Sequence, residues 1–460
     1  MSRFPALSLS PRSRTLLALG LPISLAQSAG MVTGLIDTAM LGAYSTTSLA
    51  AIGVALTLRQ YFLLISAGLS IGIQAALAQS LGRKEAPEGQ GAILGTGYLL
   101  LALAAVGSTV LLGLFQTSLL DLIGARGEVG AEALSFLTLT LATLLPMFAT
   151  AGLRAVATAY GRPRLLLGGA AAALAVKGVL DYLLIFGHGG FPAMGIRGAA
   201  IAEVASCFAE LLVLALGVRA MTHRERSLRP CLRGWKAHAR GVGRLSSTTV
   251  VEWVLWTTGV FFITKWLLDD DPLHPALYQV SMRVQGLFLI LASGFSRAVL
   301  TLTAREFGAG NFPAIRQWLR TALLLAGAGL AVCAAAIALF GPAAWEALSP
   351  SASRGGVVSL PLFFGLTALL LVLRSVNVIT ASAIRSMGHV WFFVVVMGIS
   401  TLWITLGSWG FTHWAHLGVV GVLVAMVVDE ASRNAANLMY FNKVTRPAAP
   451  ETGDGLYAQN

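Results

Sequence analysis

The sequence predicts an all-α integral membrane protein, with twelve transmembrane helices arranged as two pseudo-symmetric six-helix lobes. Three observations carry that expectation. Of 460 residues, 56% are hydrophobic and only 11% are charged, against about 25% charged in soluble domains, so most of the chain has no water to face; mean hydropathy is +0.76. The apolar residues fall into long runs separated by short polar breaks. Features of the first six runs recur in order in the last six.

A bilayer core takes about 20 apolar residues per helix. On that ruler the runs centre near residues 28, 60, 103, 145, 175, 207, 257, 290, 328, 370, 400 and 428. Backbone polar groups in lipid have to be satisfied within the segment, so each run is a helix. The first run begins like a signal peptide, but its apolar stretch outlasts a signal core of about 7–15 residues and no cleavage site follows, so it reads as a retained span. The 50 glycines suit a bundle, because small residues let helices approach closely.

The second half repeats the first. SAGLSIGIQAALAQSLG (66–82) resembles ASGFSRAVLTLTAREFG (292–308), with Gly68, Ser70, Ala78 and Gly82 falling on Gly294, Ser296, Ala304 and Gly308, each 226 positions later. Met194-Gly195-Ile196-Arg197-Gly198 matches Leu417-Gly418-Val419-Val420-Gly421. Coincidence between Gly/Ala-rich helices is the competing explanation, but both matches preserve order. An even number of spans between copies gives them the same orientation, around an axis along the membrane normal. The division is then 1–221 for the N-lobe, 222–244 for a basic inter-lobe linker, 245–445 for the C-lobe and 446–460 for a tail.

Lys and Arg set the orientation. With the N-terminus cytoplasmic, that side receives Arg12, Arg14, Arg83, Lys84, Arg162, Arg164, the run from Arg224 to Arg244, Arg305, Arg316, Arg320, Arg385, Lys443 and Arg446. The other side receives Arg126, Arg197, Arg354 and the acidic turn Asp269-Asp270-Asp271. Both termini are therefore expected in the cytoplasm, in a bacterial inner (plasma) membrane, for a protein acting as a monomer among membrane lipids.

Other classes find no support in the residues. The net charge is +12, but the basic residues sit in loops between apolar runs, so nucleic acid is not an expected partner. Cys207, Cys231 and Cys333 have no ligand-like spacing, and His413 and His416 flank Trp414 in a loop, which does not suit a metal. No phosphate-binding loop, HExxH or GxSxG motif occurs. An enzyme is not expected, nor any cofactor.

Four ionisable residues lie within apolar runs of the first half: Asp37, Lys177, Asp181 and Glu203. A charge in a spanning helix costs roughly 2.5–3.5 kcal/mol on insertion scales and usually marks an ion or substrate path. Lys177 and Asp181 are spaced i and i+4, on one helix face. Burial disfavours the charged form of a carboxyl, which suits Asp37 to take a proton on one side and release it on the other. The structural alternatives are an Asp37 that caps the helix end and a Lys177 that snorkels to the surface. Pro22 removes a backbone donor one to two turns short of mid-span, giving either a bending point or a static kink.

In order, these features resemble the multidrug and toxic compound extrusion (MATE) transporters, nearest the DinF-like branch, over nearly the whole chain. The resemblance is carried by Pro22 and Asp37 in LPISLAQSAGMVTGLIDTAMLG, by LDYLLIFG (180–187), by MGIRGAAIAE (194–203) and by the paired loops QSLGRKE (79–85) and REFGAGN (305–311). It implies secondary efflux of small amphipathic organic compounds, of cationic character, by alternating access, driven by a proton or sodium gradient. Asp37 and Asp181 match the family's acidic positions. Lys177 stands where archaeal members of the branch have Asn, and Glu203 where the family has Thr. These departures compensate in charge, so an Asp37–Lys177–Asp181–Glu203 network lining the N-lobe cavity is expected. Its ammonium would occupy the place of a cation, which favours protons over sodium.

In the C-lobe, Glu252 resembles the span-seven glutamate of the NorM-like branch, while span ten offers Arg374 and Asn377 but no carboxylate. The C-lobe also carries Lys265; Glu252 is expected to pair with Arg283 or Arg297, and Asp429 and Glu430 to pair locally with Arg433. Tyr61, Phe62, Phe148 and Phe288 are candidate cavity walls. The second reading is a lipid-linked oligosaccharide flippase of the same wider superfamily, whose pyrophosphate would need a cationic cavity such as Arg59, Lys177, Arg283 and Arg297 would supply.

Overall fold

A computed structural model describes residues 10–224, 230–270, 273–348 and 359–446. Arg354, Asp271, the middle of the linker and nearly all of the expected tail lie outside the described residues. Twelve α-helices follow one another among those described: α1 Pro11–Tyr44, α2 Thr46–Gly82, α3 Pro87–Ile123, α4 Gly127–Ala159, α5 Arg164–Phe186, α6 Ile196–Arg224, α7 Trp235–Asp270, α8 Leu273–Gly308, α9 Phe312–Leu348, α10 Leu360–Arg385, α11 Val390–His413 and α12 Gly418–Thr445. All twelve predicted centres fall inside these helices. The inter-lobe connection is shorter than the expected 222–244, because α6 runs on to Arg224 and α7 starts at Trp235.

Local chemistry sets the ends. The Ser10 hydroxyl accepts the Ser13 amide at 3.2 Å and Pro11 opens α1, where its missing amide costs nothing. Gly187 stops α5 in the left-handed region, at φ +76°, which a residue without Cβ adopts freely. Eleven helices are long and apolar enough to cross a bilayer. The twelfth, α12, falls short of that measure because Asp429, Glu430 and Arg433 interrupt it, and all three are buried.

The pseudo-symmetry is visible in the packing. Within the first lobe α1 packs on α5, α2 on α3 and α4, α4 on α3 and α6, and α5 on α6. Adding six to every label gives the packing of the second lobe: α7 on α11, α8 on α9 and α10, α10 on α9 and α12, and α11 on α12. The lobes meet where α1 crosses α8 and, equivalently, where α2 crosses α7, with α2 against α8 on the axis.

The repeated glycines lie on these crossings. A Cβ on Gly294 of α8 would strike Ser24 and the Gly20 carbonyl of α1, and one on Gly68 of α2 would crowd Val250 and the Ser246 carbonyl of α7. A Cβ on Gly82 would strike the Arg305 carbonyl, and one on Gly308 the Gln79 carbonyl. In each pair the partner residues are again 226 positions apart. Likewise Gly195 immediately precedes α6 and Gly418 opens α12, with φ +53° and +51°. Duplication explains all of these at once, where coincidence explains none.

Candidate functional site

The four ionisable residues of the first half converge on one point. Asp37 comes from α1, Lys177 and Asp181 from adjacent turns of α5, and Glu203 from α6. The Lys177 ammonium lies 2.6 Å from Asp37 Oδ1, 3.0 Å from Asp181 Oδ1 and 3.7 Å from Glu203 Oε2. It also donates to the Ala199 carbonyl at 3.2 Å. The Asp37 and Asp181 carboxyls thus share one ammonium. Lys177 therefore does not snorkel, and Asp37 is no cap: its carboxylate engages another helix.

A fifth member was missed. Arg59 of α2 donates from Nη2 to Glu203 Oε1 at 2.9 Å. The cluster thus holds three carboxyls and two cations. One signal for Arg59 was in the sequence: three carboxyls against one lysine left room for a second cation, and Arg59 sits alone in the apolar run ALTLRQYF.

The expectation that this network lines the N-lobe cavity is corrected. Lys177 and Asp181 are 0% exposed, Asp37 5%, Arg59 6% and Glu203 8%. The cavity, of about 320 Å³, begins one turn further along two of the same helices. Its wall includes Leu63, a turn beyond Arg59, and Cys207, a turn beyond Glu203, together with Ile23, Ala26 and Gln27 of α1. The cluster's charges are engaged with one another and buried apart from that wall. Pro22 adjoins the wall residues of α1, which passes through the proline as one helix.

A larger cavity of about 670 Å³ lies in the second lobe and shares Gln27, Ala67 and Arg297 with the first. Its aromatic wall is Trp253, Trp256 and Tyr278. The expected walls do not line either cavity: Phe148 is packed with Ile73 and Leu101, Phe62 and Phe288 pack against the cores of their lobes, and Tyr61 is exposed at 51%.

The expected partners of Glu252 are also corrected. Glu252 pairs with Arg385, the last residue of α10, whose guanidinium turns back over the Phe393 ring at 5.0 Å. Arg385 stands at a helix end, where the sequence alone reads it as a loop charge. Arg283 and Lys265 are exposed and form no ion pair among the described residues. Arg297 donates to the Gln74 side chain of α2 at 3.0 Å.

Asp429 and Glu430 pair with Arg433 at 2.8 and 2.6 Å, as expected locally. Glu430 does more. It accepts from Arg374 at 3.2 Å and from Asn377 at 2.8 Å, and Asn437 donates to Asn377 at 2.8 Å. Span ten lacks a carboxylate, but α12 supplies one. Arg374 in turn stacks over Trp256 at 4.7 Å. The carboxylates at the cavities are thus neutralised: Glu210 by Arg154, Glu252 by Arg385, and Glu430 by Arg374 and Arg433. They are not free to attract a cation.

The family profile described as MatE matches residues 22–183 and again 247–407. The chain belongs to the MatE family. The two matches correspond to the two lobes. A protein named probable multidrug resistance protein NorM, from Thermotoga maritima, is 26% identical over 93% of this chain and 92% of its own length. A protein of the same name from Caulobacter vibrioides is 25% identical over 95% and 93%. Among solved structures, a MOP superfamily transporter from Pyrococcus furiosus superposes with a TM-score of 0.85 at 19% identity, covering 95% of this chain and 96% of that one. A multidrug resistance MATE family transporter in an outward-facing conformation gives the same values. These likenesses show the shared MATE fold.

Proposed function

We propose that this MATE chain is a proton-coupled secondary exporter of amphipathic organic compounds, working by alternating access of its two lobes. The observation that carries the proposal is the Lys177 ammonium held by three carboxyls beside a cavity. Three carboxyls and two cations leave one negative charge, which one proton neutralises. Bringing an uncompensated charge out of water is costly, so the cluster has a place for one proton, shared by Asp37 and Asp181. Sodium fits poorly, because it needs several oxygen ligands and the ammonium already occupies them.

The coupling follows from α1. Asp37 ties its far part to α5, while Ile23, Ala26 and Gln27 form cavity wall next to Pro22. Uptake of that proton at Asp37 or Asp181 weakens the hold on Lys177, frees α1 from α5 and lets it bend at Pro22, and its release restores the hold. The polar series in α1, α5 and α6 is also what supports the DinF-like branch. By its basic loops the chain is oriented with both termini cytoplasmic in a bacterial plasma membrane, and it works as a monomer.

The flippase reading keeps one supporting observation, the cation Arg297, which forms no ion pair among the described residues. Arg59 and Lys177 are spent on carboxylates and Arg283 lies outside the cavities, so little remains to hold a pyrophosphate.

The test is transport by purified protein in proteoliposomes. An imposed pH gradient is expected to drive accumulation of a fluorescent amphiphile, and a sodium gradient at constant pH is not. Drive by sodium alone would reassign the coupling ion. Movement of a lipid-linked pyrophosphate without movement of free amphiphiles would favour the flippase.

A further inference from the structure

The charges at the two cavities do not cancel. Around the larger cavity, Glu252 is matched by Arg385, and Glu430 with Asp429 behind it is matched by Arg374 and Arg433. In the smaller cavity Glu210 is matched by Arg154. Arg297 lines both cavities and forms no ion pair among the described residues. Arg154 and Arg385 line the same cavities, but each is spent on a carboxylate. One positive charge is left over, at the junction of the two cavities.

That charge is held in place. Gln74 of α2 is 1% exposed, accepts from Arg297 Nη1 at 3.0 Å, and donates to the Arg297 carbonyl at 3.0 Å and to Thr301 at 2.8 Å. The amide spends its oxygen and its nitrogen on orienting one side of the guanidinium. Among the described residues no other acceptor meets the Arg297 guanidinium, and the residue lines both cavities. A guanidinium presents several donors in a rigid plane that suits an oxyanion. Beside it, Trp253, Trp256, Tyr278 and Met282 offer an apolar face, the usual make-up of a ligand pocket.

We propose that Arg297 anchors the substrate by a single negative charge, so that the transported compounds are amphiphiles with a monoanionic head, a carboxylate or a phosphodiester, on an aromatic or branched apolar body. One surplus cation matches one negative charge and leaves a doubly charged pyrophosphate uncompensated. The inference rests on the exporter reading for how the site is used, but the site itself can be tested by binding alone.

The probes are three compounds with one body: 1-naphthylacetate, 1-naphthylacetamide and (1-naphthylmethyl)trimethylammonium. Titration calorimetry on the full-length protein in detergent is expected to rank acetate tightest, by about tenfold over the amide, with the ammonium weakest. Arg297→Gln is expected to erase the preference for acetate over the amide, and Arg297→Lys to keep it. Wild-type protein that binds the ammonium as tightly as the acetate overturns the proposal, and so does an Arg297→Gln variant with the preference intact. If Arg297→Gln fails to fold, the wild-type ranking and Arg297→Lys still decide. Competition by dihexanoyl phosphatidylglycerol extends the class to phosphodiesters, and its absence confines the class to carboxylates. Both results keep the anchor. An intact ranking without pH-driven movement of naphthylacetate removes the exporter reading and leaves the anion site standing. Driven export of the ammonium probe with no acetate binding does the reverse.

Discussion

The Lys177 ammonium of α5 lies 2.6 Å from the Asp37 carboxylate of α1, and both are buried. This contact fastens the helix that forms part of both cavity walls to a helix that forms part of one. In the proposed mechanism Pro22 is the bending point of α1, and the strength of the Asp37–Lys177 contact decides whether α1 moves. On that proposal the ionisation of one carboxyl is linked to the shape of the cavities.

Asp37→Asn removes the charge while keeping the shape. The variant is expected to insert and fold, to bind substrate, and to lose accumulation driven by a pH gradient. Normal gradient-driven transport by the folded variant, measured in proteoliposomes, would remove Asp37 from the coupling path.

Lys177 and Glu203 compensate one another. Removing one partner of a buried ion pair costs about 3–5 kcal/mol, and Lys177→Asn leaves three carboxyls facing one arginine. Lys177→Asn with Glu203→Thr removes one charge of each sign. The cycle is expected to show a favourable coupling energy of about 0.5–3 kcal/mol in unfolding free energy. Additivity within about 0.5 kcal/mol would mean that the two residues are independent despite their proximity.

The repeated glycines set the closeness of α2 and α8. Gly82→Ala and Gly308→Ala place a methyl against the Arg305 and Gln79 carbonyls, where backbone cannot yield cheaply. Each is expected to cost about 1–3 kcal/mol, read as a lower melting temperature in detergent. The two effects should be alike, since the contacts are equivalent. Gly53→Ala, where a Cβ meets nothing within 4 Å, is the control.

Glu85, between α2 and α3, carries a pH effect of known sign. A hydrogen bond from the Ser80 hydroxyl, aided by Arg83, holds its carboxyl below the ordinary value of 4.5. A depressed folded value contributes stability above the unfolded value, and the contribution is lost as pH falls through the folded one. Glu85→Gln is therefore expected to be slightly less stable than wild type at neutral pH, with the gap closing in acid below about pH 4. Melting temperatures across that range check it.

Much of this was legible in the sequence, for physical reasons. Lipid forces each span to declare itself as a long apolar run, and a pseudo-twofold axis forces the same glycines into both copies. Lys177 and Asp181 are four apart on one helix, so their pairing could be read directly. The partners that were missed come from helices distant in sequence. Arg59 reaches Glu203 across 144 positions, and Arg385 reaches Glu252 across 133; no local spacing records such contacts. The carboxylate missing from span ten was found on α12, because a site is assembled by packing rather than by one segment. Tyr61, Phe62, Phe148 and Phe288 misled because an aromatic residue in a membrane helix serves the core or the lipid face as readily as a cavity.

The central claim is that the Asp37–Lys177–Asp181–Glu203–Arg59 cluster holds one exchangeable proton between Asp37 and Asp181. Infrared difference spectroscopy of the carboxyl C=O stretch during a pH titration reads that proton directly. A protonated-carboxyl band is expected that disappears in alkali and is absent from both Asp37→Asn and Asp181→Asn. Wild-type protein with no such band, or a band that persists in both variants, would contradict the account.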